Sequence, residues 1–207
     1  MPKNTRAITL LELIIAITLL GVIVIGFSSI ELFSRSQTLS ADRKAQVQNE
    51  AAYVLEHMTK EISRVVGSII NPAVVIISDT SPLATTFLIL NIDTNNDGIA
   101  DSGPWNGYSY FDETNTSPNL RNRITYCPPL SNVLCQQAAL NTNTQDISNK
   151  ITNFIVNYDN IETDGDPIDN YLEIELTARW DPALPSSLDN PEITMRTRIK
   201  MPSVSTH

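Results

Sequence analysis

The chain has 207 residues, two cysteines and a formal net charge of −9. This length accommodates one membrane segment and one soluble domain with a modest core. The acidic balance argues against a subunit that itself grips DNA, because a nucleic-acid partner requires a basic stripe.

The first predicted element is a helix long enough to cross a membrane. Residues 8–27 are almost wholly apolar, and about 20 helical residues span about 30 Å, the thickness of a hydrocarbon core. The basic leader MPKNTRA precedes this run. In a secretory signal the small-residue cleavage site follows the apolar run, whereas here Ala7 comes before it. Cleavage between Ala7 and Ile8 would make Glu12 the fifth residue of the mature chain.

Glu12 is a carboxylate near the start of this apolar run, and two interpretations are open. In an ordinary signal anchor, its side chain would snorkel to the lipid headgroups. Alternatively, it would meet a positive partner inside the membrane, such as the new amine of a neighbouring chain. Two buried charges that pair avoid much of the cost that either pays alone.

The leader, the phrase A-I-T-L-L-E and the apolar helix resemble the N-terminal signal of type IV pilins and type II secretion pseudopilins. The resemblance implies that a prepilin peptidase cuts between Ala7 and Ile8 and methylates the Ile8 amine. It implies that Glu12 neutralises the amine of a neighbouring subunit during filament assembly. Its implied partners are other pilin or pseudopilin subunits, membrane lipid and an inner-membrane assembly platform. The family most often has Gly before the cut and Phe after it, where this chain has Ala and Ile.

A second helical segment is predicted to continue from the first, because residues 28–66 contain neither proline nor glycine. Its apolar positions recur in steps of three and four, which predicts one buried stripe. The stripe consists of Val47, Ala51, Val54, Leu55, Met58, Ile62, Val65 and Val66. Gly67 and Pro72 predict its end. We therefore expect a leader at 1–7, a transmembrane helix at 8–30 and an amphipathic helix at 31–67.

Residues 68–207 are predicted to form an extracytoplasmic β-rich domain. The predicted strands are 73–77, 85–92, 108–111, 123–127, 151–158, 171–180 and 193–201, and the polar tract 141–150 is predicted to be a surface loop. Leu172, Ile174 and Leu176 alternate with glutamates, which predicts a strand with one buried face. The fold class is α+β, and the pilin resemblance implies a long N-terminal helix packed on an antiparallel sheet.

Four phrases resemble W-type minor pilins and J-type minor pseudopilins in their order along the chain. They are LEHMTKEISR at 55–64, FIVNY at 154–158, LEIEL at 172–176 and MRTRIKM at 195–201. This resemblance implies a minor rather than a major subunit.

The two cysteines, Cys127 and Cys135, flank a proline-containing loop. This arrangement indicates a disulfide in an oxidising compartment. The alternative is a pair of buried free thiols. A zinc site is disfavoured, because neither a histidine nor a further cysteine lies nearby to complete four ligands.

The segment DTNNDGIAD at 93–101 fits the first part of a calcium loop. The expected ligands are Asp93, Asn95, Asp97, the Ile99 carbonyl and Asp101. Pro104 stands where such a loop has its bidentate Glu. The segment is therefore either a site completed from elsewhere, for instance by Asp112 or Glu113, or a plain turn, since Asn, Asp and Gly are the usual turn residues. The acidic segment 160–169 has poorer spacing and is predicted to be a turn.

The sequence contains neither a G-x-S-x-G phrase nor a P-loop lysine. His57 is interpreted as a helix-surface or packing residue, far in sequence from His207. Trp105 and Trp180 are interpreted as packing residues, with a sugar platform as the alternative. We therefore expect a structural filament subunit without enzymatic turnover. The alternative function is a membrane-anchored extracellular adhesin or binding module.

Overall fold

The computed structural model describes residues 9–68, 73–78, 86–91, 106–128, 144–159, 171–200 and 203–205. The chain divides into two compact units, Met1–Asp42 and Arg43–His207. One long helix, α1, runs over Leu10–Ile62 and contributes residues to both units. The expected α+β class with a long N-terminal helix is confirmed.

Ten strands are described after the helix. Their bounds are β1 Val66–Ser68, β2 Val74–Ser78, β3 Thr86–Leu90, β4 Asn106–Phe111, β5 Arg123–Cys127, β6 Gln145–Ser148, β7 Ile151–Asp159, β8 Tyr171–Arg179, β9 Glu192–Lys200 and β10 Ser203–Ser205. They form a five-stranded sheet β2-β3-β4-β5-β6 and a three-stranded sheet β7-β8-β9, both antiparallel throughout. The short strands β1 and β10 pair in parallel.

The part of α1 in the second unit packs on the sheets through the predicted stripe. Its buried apolar residues are Val47, Ala51, Val54, Leu55, Met58 and Ile62. They share one core with side chains from both antiparallel sheets, including Leu88, Tyr108, Phe154 and Ile174. Burial of a Val, Leu, Ile or Met side chain contributes roughly 1.5–3 kcal/mol each. The stripe is therefore what attaches this part of the helix to the sheets.

The alternation predicted for β8 is confirmed. Leu172, Ile174 and Leu176 are fully buried, whereas Glu173 is exposed and Glu175 is half-buried.

Phe87 and Phe111 of the five-stranded sheet form a second, smaller apolar cluster that is separate from the main core.

The predicted end of the helix is wrong, and three of the described strands, β1, β6 and β10, were not predicted. Helix α1 ends at Ile62, because the last turn tightens through an Arg64-to-Glu61 backbone bond and the chain then enters β1, whose backbone pairs with β10. Residues 145–148, predicted as part of a surface loop, form β6, because their backbone pairs with β5. Strand β10 has no counterpart in the prediction.

Candidate functional site

The start of α1 is closed by reciprocal hydrogen bonds between Thr9 and Glu12. The Thr9 backbone N–H donates to Glu12 Oε2 at 3.4 Å, and the Glu12 backbone N–H donates to Thr9 Oγ1 at 3.3 Å. The Thr9 hydroxyl donates to the same carboxylate oxygen at 3.4 Å. This arrangement is a capping box, in which the two residues satisfy each other's backbone donors. Sequence reasoning missed it, although the T-x-x-E spacing of residues 9–12 is its signature.

The remainder of the first unit's helix presents exposed apolar side chains on all sides. Every Leu, Ile, Val and Phe from Leu10 to Phe33 is between 50% and 78% exposed. Glu12 is the one charged residue between positions 9 and 30. The hydroxyls of Thr18, Ser28 and Ser29 donate to carbonyls of their own helix at 2.8–2.9 Å. The helix is thus long and apolar enough to cross a membrane, with its hydroxyls satisfied internally as lipid requires.

A comparison with family models identifies this N-terminal segment. The model of the prokaryotic N-terminal methylation motif matches residues 2–28. The chain carries the type IV pilin and pseudopilin signal. The pilin signal covers the leader, the capping box and the apolar part of α1. No curated protein and no solved structure gives a significant match to this chain.

Several predicted site residues lie outside the described residues, so their roles stay predictions. They are Ala7, Ile8, Asp93, Asn95, Asp97, Ile99, Asp101, Trp105, Cys135 and His207. Cys127 is buried in the last position of β5. Asp112, one candidate for completing the calcium loop, uses its Oδ1 in a local turn, where it accepts from the Thr114 backbone N–H at 2.9 Å and hydroxyl at 2.7 Å. Glu113 is exposed.

A buried polar cluster lies where the end of α1 meets β4 and β5. Glu61, only 8% exposed, accepts through Oε2 from Asn106 Nδ2 at 3.2 Å and from the Tyr126 hydroxyl at 3.1 Å. One turn earlier, His57 Nδ1 lies 2.7 Å from the Tyr108 hydroxyl, and its ring makes an edge contact with Tyr126. The interpretation of His57 as a packing residue is confirmed. Sequence reasoning missed Glu61, whose signal was a carboxylate inside the apolar stripe.

Burial keeps the tyrosines of this cluster protonated. It raises the pKa of Tyr108 well above 10, and the nearby Glu61 charge raises it further. It also raises the pKa of Tyr126 to about 12. Both side chains therefore remain neutral hydrogen-bond donors even at a pH near 10, where an exposed tyrosine is half ionised. The cluster fixes the rotation of the helix on the sheet, because its bonds require Glu61 to face β4 and β5.

Trp180 packs against the core, as predicted, and cations lie close to its ring. The Lys150 ammonium is 4.2 Å from the ring centroid and the Arg43 guanidinium carbon is 5.9 Å from it. An ammonium this close covers one of the two ring faces on which a sugar would stack. The ring lines a pocket of about 480 Å³ beside a loop held by Asn190, whose Nδ2 lies 2.9–3.0 Å from three backbone carbonyl oxygens.

Proposed function

We propose that this chain is a minor pilin or pseudopilin, a structural subunit of a type IV pilus or a type II secretion pseudopilus. The main support for this proposal is that the pilin signal coincides with an apolar helix whose side chains are exposed on all sides. Such a surface must be covered by lipid before assembly and by neighbouring helices afterwards. Assembly through the helix explains the pilin signal without requiring enzymatic turnover.

The proposed sequence of events begins in the inner membrane, with the amino end in the cytoplasm and the β-rich unit outside. A prepilin peptidase cuts between Ala7 and Ile8 and methylates the new amine. The helix then moves from lipid into a filament, guided by the inner-membrane assembly platform. Glu12 neutralises the amine of a neighbouring subunit at the same depth, which reduces the cost of burying both charges. The other subunits of the filament are the partners.

The capping box gives Glu12 a second role, closing the start of the helix, and the test must separate this role from charge pairing. A glutamine at this position still accepts hydrogen bonds in a capping box but carries no charge. Glu12→Gln should therefore keep the helix start closed and remove the counter-charge. Thr9→Ala is the complementary variant, because it removes the capping partner and leaves the carboxylate.

The assay is cross-linking to other pilin-like subunits in membranes that contain the complete assembly system. If Glu12 is a counter-charge, Glu12→Ala and Glu12→Gln should both lose cross-linking, and Thr9→Ala should retain most of it. All variants should remain in the membrane fraction, because Glu12→Ala and Glu12→Gln remove a charge, which makes insertion easier, and Thr9→Ala leaves the run apolar. Cross-linking restored by glutamine would show that Glu12 acts as a cap. Wild-type protein that never co-purifies with other subunits would favour the membrane-anchored adhesin.

Processing is tested on the same membranes by mass spectrometry. The mature chain should begin at Ile8 with a methylated amine. An intact MPKNTRA leader in cells with an active prepilin peptidase would contradict the proposal.

We also propose that the loop 93–101 binds calcium weakly. The motif supplies acidic and amide oxygens at the spacing of a calcium loop, and extracellular sites of this kind bind at about 0.1–1 mM. Calcium at about 1 mM would then stabilise the fold by about 0.4–1.4 kcal/mol. The full-length protein in micelles should melt higher in millimolar calcium than in chelator, and Asp97→Ala should abolish the difference. Asp164→Ala, in the other acidic segment, is the control and should keep the difference in melting temperature. If the wild type melts at the same temperature in both buffers, the loop is a turn and binds no calcium.

A further inference from the structure

Strand β9 is an edge strand whose outer side has no partner among the residues that the structure describes. Among the described strands it pairs only with β8, at the end of the three-stranded sheet. Its nine residues contain no proline, and the register with β8 runs without a bulge. At about 3.3 Å per residue, the strand offers about 30 Å of edge. Natural edges are often short, bulged, interrupted by proline or lined by charged side chains, and of these protections β9 has only the charged side chains.

The exposed face of β9 is basic in a chain whose net charge is −9. Arg196, Arg198 and Lys200 occupy alternate positions and are all exposed. Arg196 is paired with Glu175 at 2.6 Å. Arg198 and Lys200 form no ion pair with any described carboxylate, and both lie near the Tyr171 ring, at 4.6 and 5.9 Å from its centroid. Arg198 lies directly opposite Glu173 of β8 without an ion pair between them, so among the described residues the two cations at the end of this edge have no ion-pair partner.

The opposite face of β9 is apolar and only partly covered. Ile193 and Met195 pack against the main core but are half-buried, whereas Ile199 is buried. A strand added at this edge would cover the rest of their surface. It would need apolar residues on that face and acidic residues on the other, because directly opposite side chains on one face of a sheet interact and opposite charges stabilise the pair.

We propose that β9 accepts an extended segment of another chain, which is acidic at alternate positions and apolar at the positions between. The added strand would bond to the β9 backbone, and its carboxylates would lie opposite Arg198 and Lys200. This is strand addition to an open sheet edge, in which backbone bonds give affinity and alternate side chains give specificity. A second copy of β9 is a weaker occupant, because antiparallel pairing about its centre would place Arg196 opposite Arg196 and only Lys200 opposite a carboxylate, that of Glu192.

The probe is the capped peptide YLEIELTA, the sequence of residues 171–178, which pairs antiparallel with β9 inside the protein. Its binding to the full-length protein in nanodiscs of neutral lipid is measured by fluorescence anisotropy at low salt. Empty nanodiscs correct for partition into lipid. One control peptide, YLKIKLTA, reverses the charge, and another carries N-methyl groups at alternate residues, which remove backbone donors.

The variant is Arg198→Glu with Lys200→Glu at two exposed positions, and its melting temperature is measured first, because the new carboxylate at position 198 lies opposite Glu173 of β8. Its control, Lys44→Glu with Lys60→Glu, makes the same change in net charge at exposed helix positions. We expect the variant to bind YLEIELTA at least tenfold more weakly and YLKIKLTA more tightly, and the control to behave as wild type. The N-methylated peptide should not bind. The proposal is overturned if YLEIELTA does not bind, if the N-methylated peptide binds equally well, or if the variant binds YLEIELTA as tightly as the wild type. The cations would then serve only to protect the edge.

Discussion

Replacing Glu61 by alanine should destabilise the second unit by about 2 kcal/mol. The carboxylate accepts bonds from Asn106 Nδ2 and from the Tyr126 hydroxyl. After its removal, Asn106 Nδ2 can still donate to the Tyr126 oxygen, which lies 3.3 Å away. The Tyr126 proton then loses its acceptor, and the Asn106 amide can satisfy either that proton through Oδ1 or the Tyr126 oxygen through Nδ2 but not both, so one buried group is left unsatisfied at a cost of about 1–3 kcal/mol. The neighbouring Arg64 adds little, because its guanidinium lies 3.8 Å from the carboxylate and is 60% exposed.

Two matched variants separate the hydrogen bond from the charge. Glu61→Gln keeps an acceptor oxygen at similar volume and should cost less than about 1 kcal/mol. Tyr126→Phe removes the donor, so combining it with Glu61→Ala should cost less than the sum of the two single changes, by about 1 kcal/mol. Arg64→Ala should be nearly neutral.

The measurement is urea unfolding of the full-length protein in micelles, followed by near-ultraviolet circular dichroism. Midpoints should shift while the slope m stays constant, since the surface exposed on unfolding does not change. A Glu61→Ala protein as stable as the wild type would refute the network as a stabilising element. Equal losses for alanine and glutamine would show that the charge, rather than the hydrogen bonds, is what matters.

Gly107→Ala should disrupt the five-stranded sheet, because a Cβ there would lie 2.2 Å from the Leu88 carbonyl oxygen. Gly21→Ala is the control, because a Cβ at Gly21 would meet nothing within 4 Å. Thermal melting should show a loss for Gly107→Ala of about 3 kcal/mol and none for Gly21→Ala, and equal melting of the two would contradict this. Alkaline pH should destabilise the second unit, since the folded-state pKa values of Tyr108 and Tyr126 are raised above the unfolded value of about 10. Their contribution is complete below pH 10 and falls as pH rises through the folded pKa, about 12 for Tyr126, by up to about 1.4 kcal/mol per pH unit for each tyrosine. Urea unfolding at pH 9 to 11 should show this slope, and Tyr126→Phe should flatten it; an unchanged slope would contradict the assignment.

Local sequence patterns were enough to predict the elements whose apolar residues recur with a single helical or extended period. The steps of three and four from Val47 to Ile62 predicted the buried stripe, and the alternation from Leu172 to Leu176 predicted the buried face of β8. These patterns are reliable because the helical and extended backbones have fixed periods of 3.6 and 2 residues. The leader and Glu12 also lie within one short segment, which is why the sequence alone indicated the pilin signal.

The tertiary structure decided where long-range pairing replaced local preference. The helical pattern continues past Ile62, yet residues 66–68 form a strand because residues 203–205 supply their backbone partners. The polar segment 145–148 becomes β6 for the same reason, since its backbone bonds go to β5. The sequence shows Glu61 only as a carboxylate within an apolar stripe. Its partners, Asn106 and Tyr126, come from two strands far along the chain, and only the folded arrangement brings them within hydrogen-bond distance.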